Sequence, residues 1–167
     1  KRFVTNFPEV EIPFDIKKVG VFVNETLENV LKIIKENNLN VIQLHGNESP
    51  AYCEELRHSE HVSESHPIEI FKAFSVDDDF DFSKTDAYQK VCDLLLFDTK
   101  GKDYGGNGVK FNWQVLDNYK GQLPYLLSGG ITKNDSQVIL SFLRRQESKK
   151  CIGVDINSGF EIEPALK

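Results

Sequence analysis

The chain contains no methionine, only three cysteines, and less basic than acidic charge: 20 Lys and Arg against 26 Asp and Glu, a formal net charge of −6. Each shortage excludes something. Neutralising a phosphate backbone needs a basic patch, so a nucleic-acid partner is not expected. No apolar run approaches the ~18 residues of a membrane helix, and no basic-then-apolar leader is visible. The expectation is therefore a cytoplasmic chain without a membrane partner. Cys53, Cys92 and Cys151 are odd in number and form no CxxC pair. That argues against a disulfide framework or a zinc site and reads all three as packing residues. A GxGxxG after the first strand and a GxxxxGK[ST] are both missing, which removes support for nucleotide-binding folds. The start at Lys1 and the lack of Met read as an interior fragment or as missing residues.

What is present is an alternation of strands and helices over one compositional zone of 167 residues, the length of a single domain. Lys18-Val19-Gly20-Val21-Phe22-Val23 reads as a strand. Asn24-Glu25-Thr26 opens a helix with Leu27, Val30, Leu31 and Ile34 as its apolar stripe. Residues 40–44 form the next strand, and Ser49-Pro50 marks a second helix with Ser as N-cap and Pro at the first position. Strands follow at 68–74, 94–97, 124–128 and 151–155, with helices at 85–91, 113–116 and 134–143. Such a pattern predicts a mostly parallel α/β sheet, either doubly wound or part of a (β/α)8 TIM barrel. His58, His61 and His66 lie in a polar stretch and read as a solvated loop, not a metal site. Asp77-Asp78-Asp79 reads as a solvated loop face.

Nearly every strand ends in polar or glycine residues: His45-Gly46, Asp98, Ser128-Gly129-Gly130, and Asp155 with Ser158-Gly159. A ring of such ends suits a barrel better than a single crevice. The loops after the last two strands carry glycines that let backbone N–H groups approach an anion, the pattern of a phosphate site. Asp98 closes the buried run Leu94-Leu95-Leu96-Phe97 and precedes Gly105-Gly106-Asn107-Gly108. Two readings stay open for it: a general acid, or a strand-end carboxylate capping a loop N–H. His45, two residues after Gln43, is either a site residue or a structural histidine.

Taken together, these segments resemble phosphoribosylanthranilate isomerase of tryptophan biosynthesis. The resemblance rests on Lys1-Arg2-Phe3-Val4, residues 19–25, Gln43-Leu44-His45-Gly46-Asn47-Glu48-Ser49-Pro50, residues 95–99, the Gly105–Gly108 loop with Phe111-Asn112-Trp113, residues 127–131, and Gly153-Val154-Asp155-Ile156-Asn157-Ser158-Gly159-Phe160-Glu161. They follow the family's order. The resemblance implies a (β/α)8 barrel, with this chain covering roughly strands 3 to 8. It implies an Amadori rearrangement of N-(5-phosphoribosyl)anthranilate to 1-(2-carboxyphenylamino)-1-deoxyribulose 5-phosphate, without cofactor or metal. It assigns Asp98 as general acid, Arg2 to the anthranilate carboxylate, Gln43 and His45 to the pocket lining, Asp155 to the sugar hydroxyls, and Gly129, Gly130, Ser158 and Gly159 to the phosphate. The family's general base is a cysteine in a Lys-x-Cys-Gly segment at the end of the first strand. No such segment is found here. The expectation is therefore a single barrel domain over 1–167, incomplete at both ends, inactive alone, and a monomer or homodimer when intact. Two alternatives are a sugar-phosphate-binding barrel without turnover and a neighbouring enzyme such as indole-glycerol-phosphate synthase.

Overall fold

The computed structural model describes residues 13, 15–59, 68–99 and 111–162. Arg2, His61, His66 and the Gly105–Gly108 loop lie outside the described residues. Six strands form one sheet: β1 (Val19–Phe22), β2 (Val41–Leu44), β3 (Glu69–Val76), β4 (Leu94–Thr99), β5 (Tyr125–Leu127) and β6 (Cys151–Val154). All neighbours are parallel and the spatial order is the chain order. A doubly wound sheet reverses its strand order at a switch point. Strict succession, each strand beside the last, is instead the wall of a (β/α) barrel.

Local chemistry explains the crossovers. Helix α1 (Leu27–Asn37) starts where the Thr26 side chain accepts a hydrogen bond from the Asn29 amide, and it ends at Asn38, whose φ of 48° is left-handed. Helix α2 (Pro50–His58) is capped by Ser49, with Pro50 in its first turn. The expected helix at 85–91 is a 3-10 helix over Phe82–Tyr88, and the one at 113–116 is a 3-10 helix over Trp113–Asn118. The segment expected to be helical over 134–143 begins as a 3-10 turn, Lys133–Asp135, and continues as α3 (Ser136–Leu143). There the Thr132 and Asp135 side chains cap one another's backbone.

Alternation along the strands sends one set of side chains outward to the helices. Phe22, Ile42, Leu44 and Ile70 pack with Val30, Ile34, Cys53, Leu56 and Cys92. Leu95, Phe97, Tyr125 and Leu127 pack with Phe82, Trp113, Leu116 and Phe142. The cysteines are packing residues, as expected: all three are buried. The other face carries Val21, Gln43, Phe71 and Leu94 in register, and at its β1 margin Val21 is 58% exposed.

Two tyrosines tie the helical layer to the strand ends. Tyr52 Oη donates to the Glu25 carbonyl at 3.1 Å, and Tyr88 Oη donates to the Glu48 carbonyl at 2.9 Å. Burial is the main reason both phenols are pushed up from 10.0 to about 12. A pKa raised on folding gives stability that is present below the unfolded value and lost as pH rises through the folded one. Stability is therefore expected to fall between about pH 10 and 12. In urea titrations across that range, Tyr88→Phe should cost about 1 kcal/mol at pH 8 and make the alkaline decline shallower. An unchanged alkaline slope would contradict this origin.

Candidate active site

Parallel strands in chain order bring their carboxyl ends to one rim, and the polar residues singled out in the sequence meet there. Asp98, the penultimate residue of β4, lies beside Ser75 of β3 in register. His45 follows β2 directly, its amide bonded to the Phe22 carbonyl at 2.8 Å. The two side chains meet across the intervening strand: His45 Nε2 is 3.2 Å from Asp98 Oδ2, both largely buried. The other carboxylate oxygen, Oδ1, accepts from the Thr99 amide at 2.8 Å. One oxygen of Asp98 thus caps the backbone, as the strand-end reading expects, and the other faces a histidine.

Gln43 sets the ring's polarity. Its Nε2 lies 3.1 Å from His45 Nδ1. An amide nitrogen only donates, so in this orientation Nδ1 accepts and a neutral ring carries its proton on Nε2, the nitrogen 3.2 Å from Asp98 Oδ2. The Gln43 side chain is buried, where an unpaired amide would be costly.

A second polar pair lies two strands further along. Ser128 Oγ donates to Asp155 Oδ2 at 2.8 Å, and the Asp155 amide donates to the Leu127 carbonyl. The glycines next to this pair have structural reasons to be glycine. Gly129 and Gly130 have φ values of 93° and 63°, a region that side chains disfavour. A Cβ on Gly129 would collide with Thr99, and one on Gly159 would collide with the Ile131 carbonyl. The loops after β5 and β6 therefore pack backbone against backbone.

A cavity of about 320 Å³ opens beside His45 between the ends of β2 and β3, lined also by Lys72, Ser75, Phe80 and Tyr88. A larger one of about 510 Å³ lies in the outer layer between Trp113 and Phe142 and includes none of these site residues. Among the described residues, no group of three or more His, Cys, Asp or Glu is placed to hold a metal ion. His58 is at the exposed end of α2. No helix among the described residues is long and apolar enough to cross a membrane.

The sequence reading passed over two residues, Glu48 and Lys72. Their side chains are 2% and 3% exposed and form an ion pair at 3.3 Å. Burial pushes the Lys72 ammonium below its ordinary value, and Glu48 opposes that shift. The signal was available: Lys72 stands between Phe71 and Ala73 in an apolar strand, on the same side as Ile70 and Phe74. A lysine there must find a partner.

The arc of parallel β/α units with its polar groups gathered at the carboxyl rim is that of the (β/α)-barrel enzymes. The family profile described as N-(5'phosphoribosyl)anthranilate (PRA) isomerase matches residues 3–167. The N-(5'-phosphoribosyl)anthranilate isomerase of Parabacteroides distasonis is 41% identical over 172 residues, covering 100% of this chain and 73% of that protein. The crystal structure of phosphoribosyl anthranilate isomerase from Thermotoga maritima superimposes with a TM-score of 0.74 at 30% identity, covering 93% of this chain and 69% of that one. A further isomerase structure, in complex with reduced 1-(o-carboxyphenylamino)-1-deoxyribulose 5-phosphate, matches at 26% identity with a TM-score of 0.70, over 94% of this chain and 68% of that one. The chain belongs to the phosphoribosylanthranilate isomerase family.

The glycine geometry gives a stability test. Gly129→Ala combines a positive φ with a collision against Thr99 and should destabilise by about 1–3 kcal/mol. Gly153→Ala meets only the end of Leu126 and should cost less. Thermal or urea unfolding of the two variants checks the order.

Proposed function

We propose that this chain carries the acid half of an Amadori rearrangement, the conversion of N-(5-phosphoribosyl)anthranilate to 1-(2-carboxyphenylamino)-1-deoxyribulose 5-phosphate in tryptophan biosynthesis. The observation that carries the reading is the His45 Nε2 to Asp98 Oδ2 contact of 3.2 Å at the strand ends. It places the Asp98 carboxyl group at the rim, where in its protonated form its own O–H is the proton to be given, and a general acid must sit within hydrogen-bond reach of the atom it protonates. In this reading Asp98 delivers a proton to the furanose ring oxygen. The C1–O bond breaks, the oxygen leaves as the C4 hydroxyl, and the anilino nitrogen lone pair forms the C1=N bond of a Schiff base. Removal of the C2 proton then gives an enolamine, which tautomerises to the ketone.

Supporting roles follow the rim. Ser128 and Asp155 face the sugar hydroxyls, and the Gly129-Gly130 and Ser158-Gly159 backbones take the phosphate, where closely packed glycine loops leave no side chain in the way. Arg2, outside the described residues, is assigned to the anthranilate carboxylate, which a guanidinium matches in shape. The substrate itself is a small phosphorylated molecule, and the chemistry calls for no cofactor.

The base is a separate matter. Cys53, Cys92 and Cys151 are buried in the outer layer, away from the rim. Hydrogen bonding from Cys92 holds the Cys53 thiol low, and the same contact with burial pushes Cys92 up. None of them is placed to reach a substrate at Asp98. That observation favours a second reading for the 167 residues by themselves, binding of a sugar phosphate without turnover.

In the full-length protein, Asp98→Asn should lower kcat by about 10²–10⁴-fold, the usual worth of a positioned acid, followed by loss of anthranilate fluorescence. Full activity in that variant would remove Asp98 from the acid role. For the 167 residues alone, stabilisation by a ribose phosphate without isomerisation would support the binding reading.

A further inference from the structure

We propose that the buried Lys72–Glu48 ion pair is the positioning device for the acid pair, locking the turn after β2 so that His45 Nε2 meets Asp98. The proposal rests on the reading of Asp98 as the general acid. Lys72 Nζ reaches the Leu44 carbonyl at 3.2 Å, the Gly46 carbonyl at 2.8 Å, the Ala73 carbonyl at 3.0 Å and Glu48 Oε2 at 3.3 Å. Two of those carbonyls flank His45 on either side. Glu48 completes the clamp: Oε2 accepts from the Gly46 amide at 2.9 Å and Oε1 from the Asn24 amide at 2.7 Å. The backbone of residues 44–46 is thereby held by two carbonyls and an amide, and the loop after β1 is bound to the same carboxylate. Asn24 also accepts from the Asn47 amide through Oδ1, and its φ of 53° is left-handed. Close approach at this point leaves no room for a Cβ on Gly46, which would collide with Asn24.

Lys72 lies on the helix-facing side of β3, and both charged side chains are almost completely buried. The pair acts through His45. An ammonium that donates to two carbonyls of the turn and to one of its own strand ties the turn to β3. An amide or alkyl group would satisfy fewer. Buried ion pairs are poor sources of net stability, and the role assigned here is to select one geometry of the turn over near alternatives. Acid catalysis is sensitive to such selection: a misplacement of about 1 Å can cost roughly 10²-fold in rate.

The test uses the full-length protein. Lys72→Met should lower kcat about tenfold or more with KM changed less than about twofold, because the lost interaction touches orientation and not substrate binding. Long-range ¹H–¹⁵N spectra of the His45 ring should move from the Nε2–H tautomer towards a mixture. A folded Lys72→Met protein with unchanged kcat and an unchanged His45 tautomer overturns the proposal. If Lys72→Met does not fold, Glu48→Gln decides by the same two readouts, because it keeps the side chain's shape and one acceptor for Asn24 N. In the unmutated protein, a His45 ring found mainly as the Nδ1–H tautomer also overturns it. Asp98→Asn separates the two ideas. Full activity there defeats the acid reading, whereas the ring spectra of Lys72→Met still report whether the ion pair positions His45.

Discussion

Parallel pairing in strict chain order constrains everything else in this molecule. Each of the strands β1 to β5 pairs with the next in the same direction, so each must be followed by a crossover that returns the chain to the amino-terminal end of the sheet. The crossovers cover the outer face of the sheet and bury Leu95, Phe97, Leu44 and Ile70 against helical residues. Because the strands all point one way, every strand terminus of one polarity falls on one rim. Residues separated by 53 positions in sequence, His45 and Asp98, come within 3.2 Å of one another there. No local sequence feature could bring them together.

The rim is built in two electrostatic layers. On the inner side, His45 with Asp98 and Ser128 with Asp155 leave polar atoms at the mouth of the arc. On the outer side, Lys72 and Glu48 are withdrawn from water almost completely. A buried ammonium is tolerable only when carbonyls and a carboxylate replace its hydration shell, and four oxygens lie within reach of Lys72 Nζ. The outer pair braces the backbone; the inner pair stands at the mouth of the arc. Tyr88 joins the layers, stacking edge-on to Phe74 at 5.2 Å while its hydroxyl bonds the Glu48 carbonyl.

Much of this could be read from the residues, for physical reasons that differ from place to place. Leu94 to Phe97 announces a buried strand because four apolar residues between turn signals have few other uses. Ser49-Pro50 and Thr26 announce helix starts because caps are local chemistry. The ring of polar strand ends suggested a barrel rim before any contact was known. Helix type was not legible: Phe82–Tyr88 and Trp113–Asn118 are 3-10 helices, short crossovers whose form is set by the gap they span, not by their own propensity. The Lys72–Glu48 clamp was not read either. Glu48 sits in a polar stretch where a solvated carboxylate would look the same, and only the position of Lys72 on the helix-facing side of β3 marks the pair as buried. Strand-face bookkeeping on charged residues would have found it.

Hydrogen-bond direction along the inner layer explains why these residue types occupy these positions. Thr99 N–H donates to one oxygen of Asp98, and His45 Nε2 lies 3.2 Å from the other. Gln43 donates into Nδ1, so the amide, the ring and the carboxyl group stand in one line of contacts. A carboxylate at position 43 would accept where Gln43 donates and turn the ring's proton away from Asp98. An apolar residue there would leave the tautomer unassigned. The setting of Asp98 therefore depends less on the carboxyl group itself, which any strand end can carry, than on the ordered neighbours around it, from Thr99 to His45 and Gln43.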